Sequence, residues 1–481
     1  MTINSQLKGF ILEKFGFQPT PEQETAIELM ADFMFERERD EVFLLRGYAG
    51  TGKTSLVAAL VRCLDAMQQR TVLMAPTGRA AKVFSLHAHH PAYTIHKRIY
   101  RQKTFSGEMA DFTQNVNLLK NTLFIVDESS MISNEGLNGS MFGTGHLLDD
   151  LIQFVYSGEG CRLMLVGDTA QLPPVNEELS PALAPDFLAG YGLKVIETTL
   201  TQVVRQLSDS GILWNATMLR QIIANDEAWT LPKLRIDGFP DVRYMPGDEL
   251  IEALEQAYYQ CGTDQTIVIT RSNKRANAYN QGIRGRILGY EEELTGGDQL
   301  MIVKNNYHWV TPEGVEEPDS TQMDFIANGD VATIRRYRNE REMHGFRFVD
   351  VTLTFPDYDN MEVEATAILD TLMCESPALT RQQQETLFQH VWDDYPELHN
   401  KRDRMKAVKE DPFFNALQIK YAYAVTCHKA QGGQWQRVFI DQGYMTEDML
   451  SPDYFRWLYT ALTRATETVY LVNWPKEEKN A

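Results

Sequence analysis

Short apolar runs recur along the chain, separated by longer stretches in which apolar residues return every three or four positions. Val42 to Leu45, Thr71 to Ala75, Leu123 to Val126, Arg162 to Val166 and Leu193 to Ile196 are runs of the first kind. A strand buried on both faces reads as a continuous apolar run, so these predict a parallel sheet with helices between its strands. Among the helical spans, Ser55 to Met67 places Leu56, Ala59, Leu60, Cys63 and Leu64 on one face. Ahead of the sheet, Pro21 to Glu38 predicts a helix with Ala26, Ile27, Met30, Phe33 and Met34 inward. Thr20-Pro21-Glu22 supplies its cap, a proline at the first position and an acidic first turn. On periodicity alone Gln23 falls on the exposed side of that helix.

The rhythm restarts at Gln265 to Thr270, with a helix expected over Ser272 to Leu288. It resumes near Tyr421 with a strand, then Val438 to Ile440, a helix over Tyr454 to Leu462 and a last strand, Val469 to Val472. Between these halves, Leu300 to Val303, Val331 to Tyr337 and Phe346 to Phe355 are strand-like, and Gln382 to Asp393 and Lys401 to Glu410 are helical and charged. The expected division is a first α/β domain over 1–200, a second over 201–294 and 416–481, and an inserted module over 295–415. The acidic run Glu313 to Asp324 and the Gly- and Asn-rich Ser133 to His146 are expected to be loops.

Composition narrows this picture. A chain of 481 residues exceeds one core. The net charge of −20 argues against a protein that coats nucleic acid by bulk attraction, yet leaves room for a local basic channel. Cys63, Cys161, Cys261, Cys374 and Cys427 are far apart, without metal-binding spacing, which points to a reducing cytoplasm. Lys8, Glu13 and Lys14 break the apolar N-terminus, so no signal peptide is expected, and no run reaches bilayer length.

The candidate chemistry begins at Gly47-Tyr48-Ala49-Gly50-Thr51-Gly52-Lys53-Thr54, between a strand and a helix. Gly47, Gly50 and Gly52 let backbone N–H groups, those of Thr51 and Ser55 among them, turn around a phosphate at a helix N-terminus. Lys53 reaches the β- and γ-phosphates and Thr54 holds Mg²⁺. At the end of the next apolar strand, Asp127 suits the metal and Glu128 the base that polarises water. After Leu165-Val166, Gln171 stands in a proline-stiffened loop where it can donate to a γ-phosphate.

Together Gly47 to Thr54, Asp127-Glu128-Ser129-Ser130-Met131 and Gly167-Asp168-x-x-Gln171-Leu172-Pro173-Pro174-Val175 resemble motifs I, II and III of superfamily 1 helicases, in the RecD/Dda-like 5′-to-3′ branch. Ala75 to Ala81 resembles motif Ia, Thr94-Ile95-His96 the next DNA-contact motif, Tyr423 to Gly432 motif V, and Tyr459 to Ala465 motif VI. The resemblance implies two RecA-like P-loop domains of α/β class, a β-hairpin pin over 97–118 and an SH3-like insertion in the second domain. It implies Gln23 as the adenine reader and Arg205 and Arg464 as arginines brought to the phosphates by domain closure. It implies DNA contacts at Pro76, Thr77, Thr94, His96, Thr426, His428 and Lys429, with Phe105 at the pin tip. ATP and Mg²⁺ are then the ligands, and single-stranded DNA and duplex junctions the partners of a monomer. An RNA helicase or an ATPase that remodels proteins are the rival readings.

Overall fold

Two parallel sheets and a closed barrel carry the chain, and in each sheet the alternation of side chains explains why the strands form. The computed structural model describes residues 3–35, 40–102, 112–136, 143–204, 209–225, 230–310, 323 and 325–475. The first sheet begins with β1 (Glu41–Gly47), β2 (Thr71–Ala75) and β3 (Ala92–Thr94). A separate antiparallel ribbon follows, β4 (Tyr100–Gln102) against β5 (Phe112–Gln114). Then β6 (Leu123–Val126), β7 (Arg162–Gly167) and β8 (Lys194–Leu200) complete a sheet ordered β3-β2-β6-β7-β1-β8, every pair parallel.

Successive residues of one strand go to opposite cores. Phe43, Leu45, Leu73, Ala75, Ile125 and Val166 pack with the helices Ile3–Phe15, Pro21–Phe35 and Lys53–Ala66. Their neighbours Val42, Leu44, Val72, Met74, Phe124, Val126 and Leu165 pack on the other face with helix Leu147–Ser157. Each such side chain contributes about 1.5–3 kcal/mol of burial, which is why the runs are apolar at every position. Because all strands point one way, the loops after Gly47, Ala75, Thr94, Val126 and Gly167 meet along one edge. In open α/β sheets that edge is the ligand edge.

The second half opens with β9 (Val242–Met245) and β10 (Thr266–Thr270). The chain then leaves to form a closed barrel, β11 (Gln299–Ile302), β12 (Val331–Met343), β13 (Phe346–Phe355), β14 (Met361–Ile368) and β15 (Leu417–Tyr421). It returns as β16 (Ala424–Thr426), β17 (Trp435–Asp441) and β18 (Ala465–Val472), giving a parallel sheet ordered β16-β10-β17-β18-β9.

Several expected boundaries move. The strand near Tyr421 belongs to the barrel: Leu300 pairs Tyr421, and Ala367 pairs Leu417, so the insertion runs past residue 415. The strand β14 was not anticipated because Glu362 and Glu364 on its exposed side mask the buried Val363 and Ala365. The helix over 272–288 is α-helical only to Gly282 and continues as a π-helical turn, Ile283–Ile287. Helices Arg381–Asp393 and Lys401–Glu410 cover one side of the barrel, where Leu387, Val391 and Val408 meet Phe346 and Phe348. Of the expected acidic loop, all but Met323 lies outside the described residues. The described ends of the Ser133–His146 loop are tied down, with Asn134 Nδ2 donating to Asp149 at 3.0 Å and Thr144 Oγ1 to Asp150 at 3.0 Å.

Candidate active site

The loop after β1 has the form its glycines require. Gly50 and Gly52 have φ of 76° and 81°, the left-handed region that side chains resist. At Gly47 a Cβ would stand 2.9 Å from Thr51 Oγ1 and 3.0 Å from Lys53 Cγ. Helix Lys53–Ala66 starts at Gly52 without a side-chain cap, so the N–H groups of its first turn, from Lys53, Thr54 and the exposed Ser55, lack one. That is an anion site by construction. The Lys53 ammonium folds back over the loop and donates to the Tyr48 carbonyl at 3.0 Å, and Thr51 Oγ1 donates to the same oxygen at 2.7 Å.

Gln23 is buried, contrary to the periodicity. Its Oε1 accepts from Thr20 N at 2.9 Å while Thr20 Oγ1 accepts from Gln23 N at 3.2 Å, a reciprocal cap on helix Pro21–Phe35. Its Nε2 donates to the Thr51 carbonyl at 2.9 Å, so one side chain joins helix start and phosphate loop.

Asp127 and Glu128 follow β6. Burial pushes the Asp127 carboxyl up to about 7, with the Glu128 charge adding to the rise; the Glu128 N–H, donating to Oδ1 at 2.8 Å, and the Lys53 charge oppose it. Glu128 itself holds φ at 52°, a conformation that costs a non-glycine residue about 1–3 kcal/mol. Among the described residues no three His, Cys, Asp or Glu gather into a self-sufficient metal cage. The Thr54 hydroxyl and Asp127 carboxylate are instead the sparse oxygen set that suits Mg²⁺ completed by phosphates and water. Gln171 is buried, and its Oε1, an acceptor, has no partner among the described residues.

The second half of the chain reaches this edge through helix Pro452–Leu462. Tyr459 Oη accepts from Ala49 N of the phosphate loop at 2.8 Å and donates to Asp168 Oδ2 at 2.6 Å. Leu172, next to Gln171, is held on both sides: its N–H donates to Thr460 Oγ1 at 2.9 Å and its carbonyl accepts from Gln431 Nε2 at 2.7 Å. Arg79 lies over the Trp435 ring at 4.1 Å and donates to the Gln434 carbonyl at 3.0 Å. Tyr459, Thr460 and Gln431 were missed as site residues. For Tyr459 and Thr460 the available signal was two adjacent hydroxyls in the apolar run Trp457 to Leu462, since buried hydroxyls need partners.

Arg464 is placed differently from a finger already engaged. It is buried, and its guanidinium donates to the carbonyls of Thr460 at 3.1 Å and Gly433 at 3.4 Å and to Thr463 Oγ1 at 3.2 Å, all in its own domain. Arg205 and Phe105 lie outside the described residues.

Of the residues expected on DNA, Pro76, Thr77 and Thr94 stand on this edge, after β2 and at the end of β3, whereas Thr426 ends β16 of the second sheet. Thr77, after Pro76, and Thr94 cap helices Gly78–Ala88 and Ile95–Ile99, accepting from Ala80 N and Lys97 N at 3.2 Å each. His96 stands beside Tyr100, and burial lowers its pKa to about 4, so the ring is neutral. Thr426 heads the short helix Cys427–Ala430, on which His428 is exposed. Lys429 Nζ is buried without a partner among the described residues, and burial, with Lys420 nearby, lowers its pKa to about 8. The barrel approaches this edge where Lys82 Nζ donates to the Pro356 carbonyl at 2.6 Å.

Comparison with known proteins places both halves. Residues 18–238 match a family model described as an AAA domain, and residues 421–472 match the UvrD-like helicase C-terminal domain. The chain is 25% identical to the ATP-dependent RecD2 DNA helicase of Deinococcus radiodurans, over 89% of this chain and 46% of that protein. It is 24% identical to the ATP-dependent DNA helicase dda of Enterobacteria phage T4, over 55% of this chain and 57% of the relative. The chain thus spans about half the length of these two relatives. A Pif1 helicase structure from Bacteroides, in complex with ADP-AlF3 and ssDNA, aligns over 97% of this chain and 95% of its own, at 14% identity and a TM-score of 0.48. The phosphate loop, the carboxylate pair and the Gln171 loop share one sheet edge, the second domain is hydrogen-bonded to that edge, and the chain is similar, in both matched regions, to RecD- and Dda-like superfamily 1 helicases.

Proposed function

We propose that the protein is an ATP-dependent DNA helicase that moves 5′ to 3′ on single-stranded DNA and separates the duplex ahead of it. One observation supports this above the others: the phosphate loop of one parallel-sheet domain is hydrogen-bonded by a helix of another, at Ala49 and Tyr459. A nucleotide bound there lies beside an interdomain contact, so its hydrolysis can open or close the two domains. The relatives carry the names of ATP-dependent DNA helicases, and the polarity is taken from the motif resemblance alone.

In the proposed cycle Lys53 exchanges the Tyr48 carbonyl for phosphate oxygens. Thr54 and Asp127 would hold Mg²⁺, which supplies positive charge to the phosphates as negative charge shifts onto the leaving group. Water attacks the γ-phosphorus, the bond to ADP breaks, and Glu128 takes the water proton. Gln171 monitors the γ-phosphate, and Gln23 reads adenine. Arg205 and Arg464 arrive on closure, the latter by leaving the carbonyls of Thr460 and Gly433. Thr77, Thr94, His96, Thr426, His428 and Lys429 take the strand, their hydroxyl and nitrogen donors suiting phosphate oxygens, and Pro76, which has no donor, lies against it by contact alone.

The domains of this motor are the first sheet with its N-terminal helices, the second sheet, and the barrel with its helical cover. The described residues contain no helix long and apolar enough to cross a membrane. All five cysteines are unpaired, which fits a reducing cytoplasm. The test is unwinding of forked duplexes bearing only a 5′ or only a 3′ single-stranded tail, with ATP and Mg²⁺. Unwinding from the 5′ tail alone is expected. Unwinding from the 3′ tail overturns the polarity, ATPase stimulated by RNA but not DNA overturns the substrate, and ATPase indifferent to both supports a protein remodeller.

A further inference from the structure

The Tyr459 hydroxyl stands where two functions meet. It is 1% exposed, inside a helix of the second domain, and both its hydrogen bonds cross to the first. One partner, Ala49 N–H, belongs to the phosphate loop Gly47 to Thr54. The other, Asp168, is a carboxylate also 1% exposed, with Ala170 N–H on its second oxygen at 2.9 Å. Thr460 and Gln431 beside it hold only the backbone of Leu172. Tyr459 therefore grips the nucleotide loop and a buried charge with one atom.

We propose that Tyr459 is a positioning residue through which the second domain sets the catalytic geometry of the first, its hydroxyl fixing the Ala49 peptide and the Asp168 carboxylate in one arrangement that domain opening releases. The inference rests on the hydrolysis reading above. The physical reason is the fate of Asp168. Burial raises its pKa, and the Lys53 charge is the largest influence opposing that rise, followed by the Tyr459 hydroxyl. Without the hydroxyl, Asp168 Oδ2 loses its donor, and the nearest compensation is a stronger pull on Lys53. A lysine drawn toward Asp168 is drawn away from the phosphates. The Ala49 peptide, freed at the same moment, lets the loop relax.

Tyr459→Phe in the full chain removes the hydroxyl and keeps the ring. With saturating single-stranded DNA, kcat for ATP hydrolysis is expected to fall about ten- to a hundredfold, the size of one hydrogen bond to a charged group, while KM for ATP changes less than about threefold. Asp168→Asn should lower kcat comparably, and the double variant should lose clearly less than the product of the two single losses, because the Tyr459–Asp168 bond is shared and only the Ala49 contact remains to be lost. Additive losses, or a kcat per folded molecule equal to that of the parent, overturn the proposal. If Tyr459→Phe does not fold, Asp168→Asn alone decides, and an unchanged kcat overturns it. A parent protein without ATPase, indistinguishable from Lys53→Ala, defeats the hydrolysis reading and this inference with it; an active parent matched by Tyr459→Phe defeats this inference alone.

Discussion

Replacing Gln23 with Ala tests the joint between helix Pro21–Phe35 and the phosphate loop. The side chain accepts from Thr20 N and donates to the Thr51 carbonyl, both at 2.9 Å, and Thr51 is fully buried. Loss of the reciprocal cap costs about 0.5–1 kcal/mol. An orphaned, buried Thr51 carbonyl adds about 1–3 kcal/mol. The sum, roughly 2–4 kcal/mol, lowers the melting temperature of a domain of this size by about 5–15 °C. Gln23 also keeps one amide hydrogen and one oxygen lone pair beyond these bonds, the pair that matches adenine N7 and N6. The preference for ATP over GTP, read as the ratio of KM values, should therefore shrink about ten- to a hundredfold. Scanning calorimetry and ATPase assays with both nucleotides measure the two effects. A melting temperature within about 1 °C of the parent refutes the hydrogen bonds, and a lowered one with an unchanged KM ratio leaves Gln23 a cap and no reader.

Glu128→Gln keeps the size of the side chain and removes the base, so ATP should still bind while turnover falls about a hundredfold or more; near-normal turnover removes Glu128 from the mechanism. Arg464→Ala should lower kcat about a thousandfold with less than threefold loss of ATP affinity, if the guanidinium leaves its own-domain carbonyls on closure. Equal losses in both, or lost stability with normal kcat per folded molecule, make Arg464 structural. Lys429, with a folded-state pKa of about 8 against 10.5, is charged at pH 7 and mostly neutral at pH 9. A strand phosphate on Lys429 restores the proton, so affinity for single-stranded DNA should fall about tenfold from pH 7 to pH 9. The sign for folding is opposite: the unfolded chain keeps the proton longer, so this group's contribution to stability grows as pH rises from 8 toward 10.5. Lys429→Gln should flatten the binding profile, and an equally steep one assigns the titration elsewhere.

What was legible in the sequence is what a local pattern encodes. Val42 to Leu45 had to be apolar throughout because one residue in two faces each of two cores, and that requirement marks five of the six strands of the first sheet. The phosphate loop was legible for the same kind of reason, since Gly50 and Gly52 answer to their own φ angles. The barrel's β14 was not, because solvent allows Glu362 and Glu364 to alternate with its core residues and the strand loses its apolar run. Neither was the role of Gln23 or Tyr459, for a deeper reason. Gln23 finds Thr51 across 28 positions and Tyr459 finds Ala49 across 410, and nothing in the flanking residues of either end specifies the other. Such contacts leave one local trace, a polar group on a face that should be dry: Tyr459 among Phe455, Leu458 and Leu462, or Gln171 between Ala170 and Leu172. Since burying an unpaired polar group costs about 1–3 kcal/mol, each trace implies a partner from elsewhere in the fold or from a ligand. Tyr459 has found its partners inside the chain, and Gln171 Oε1 has none among the described residues. That difference separates a residue whose hydroxyl joins the two domains from one whose amide oxygen still calls for a donor.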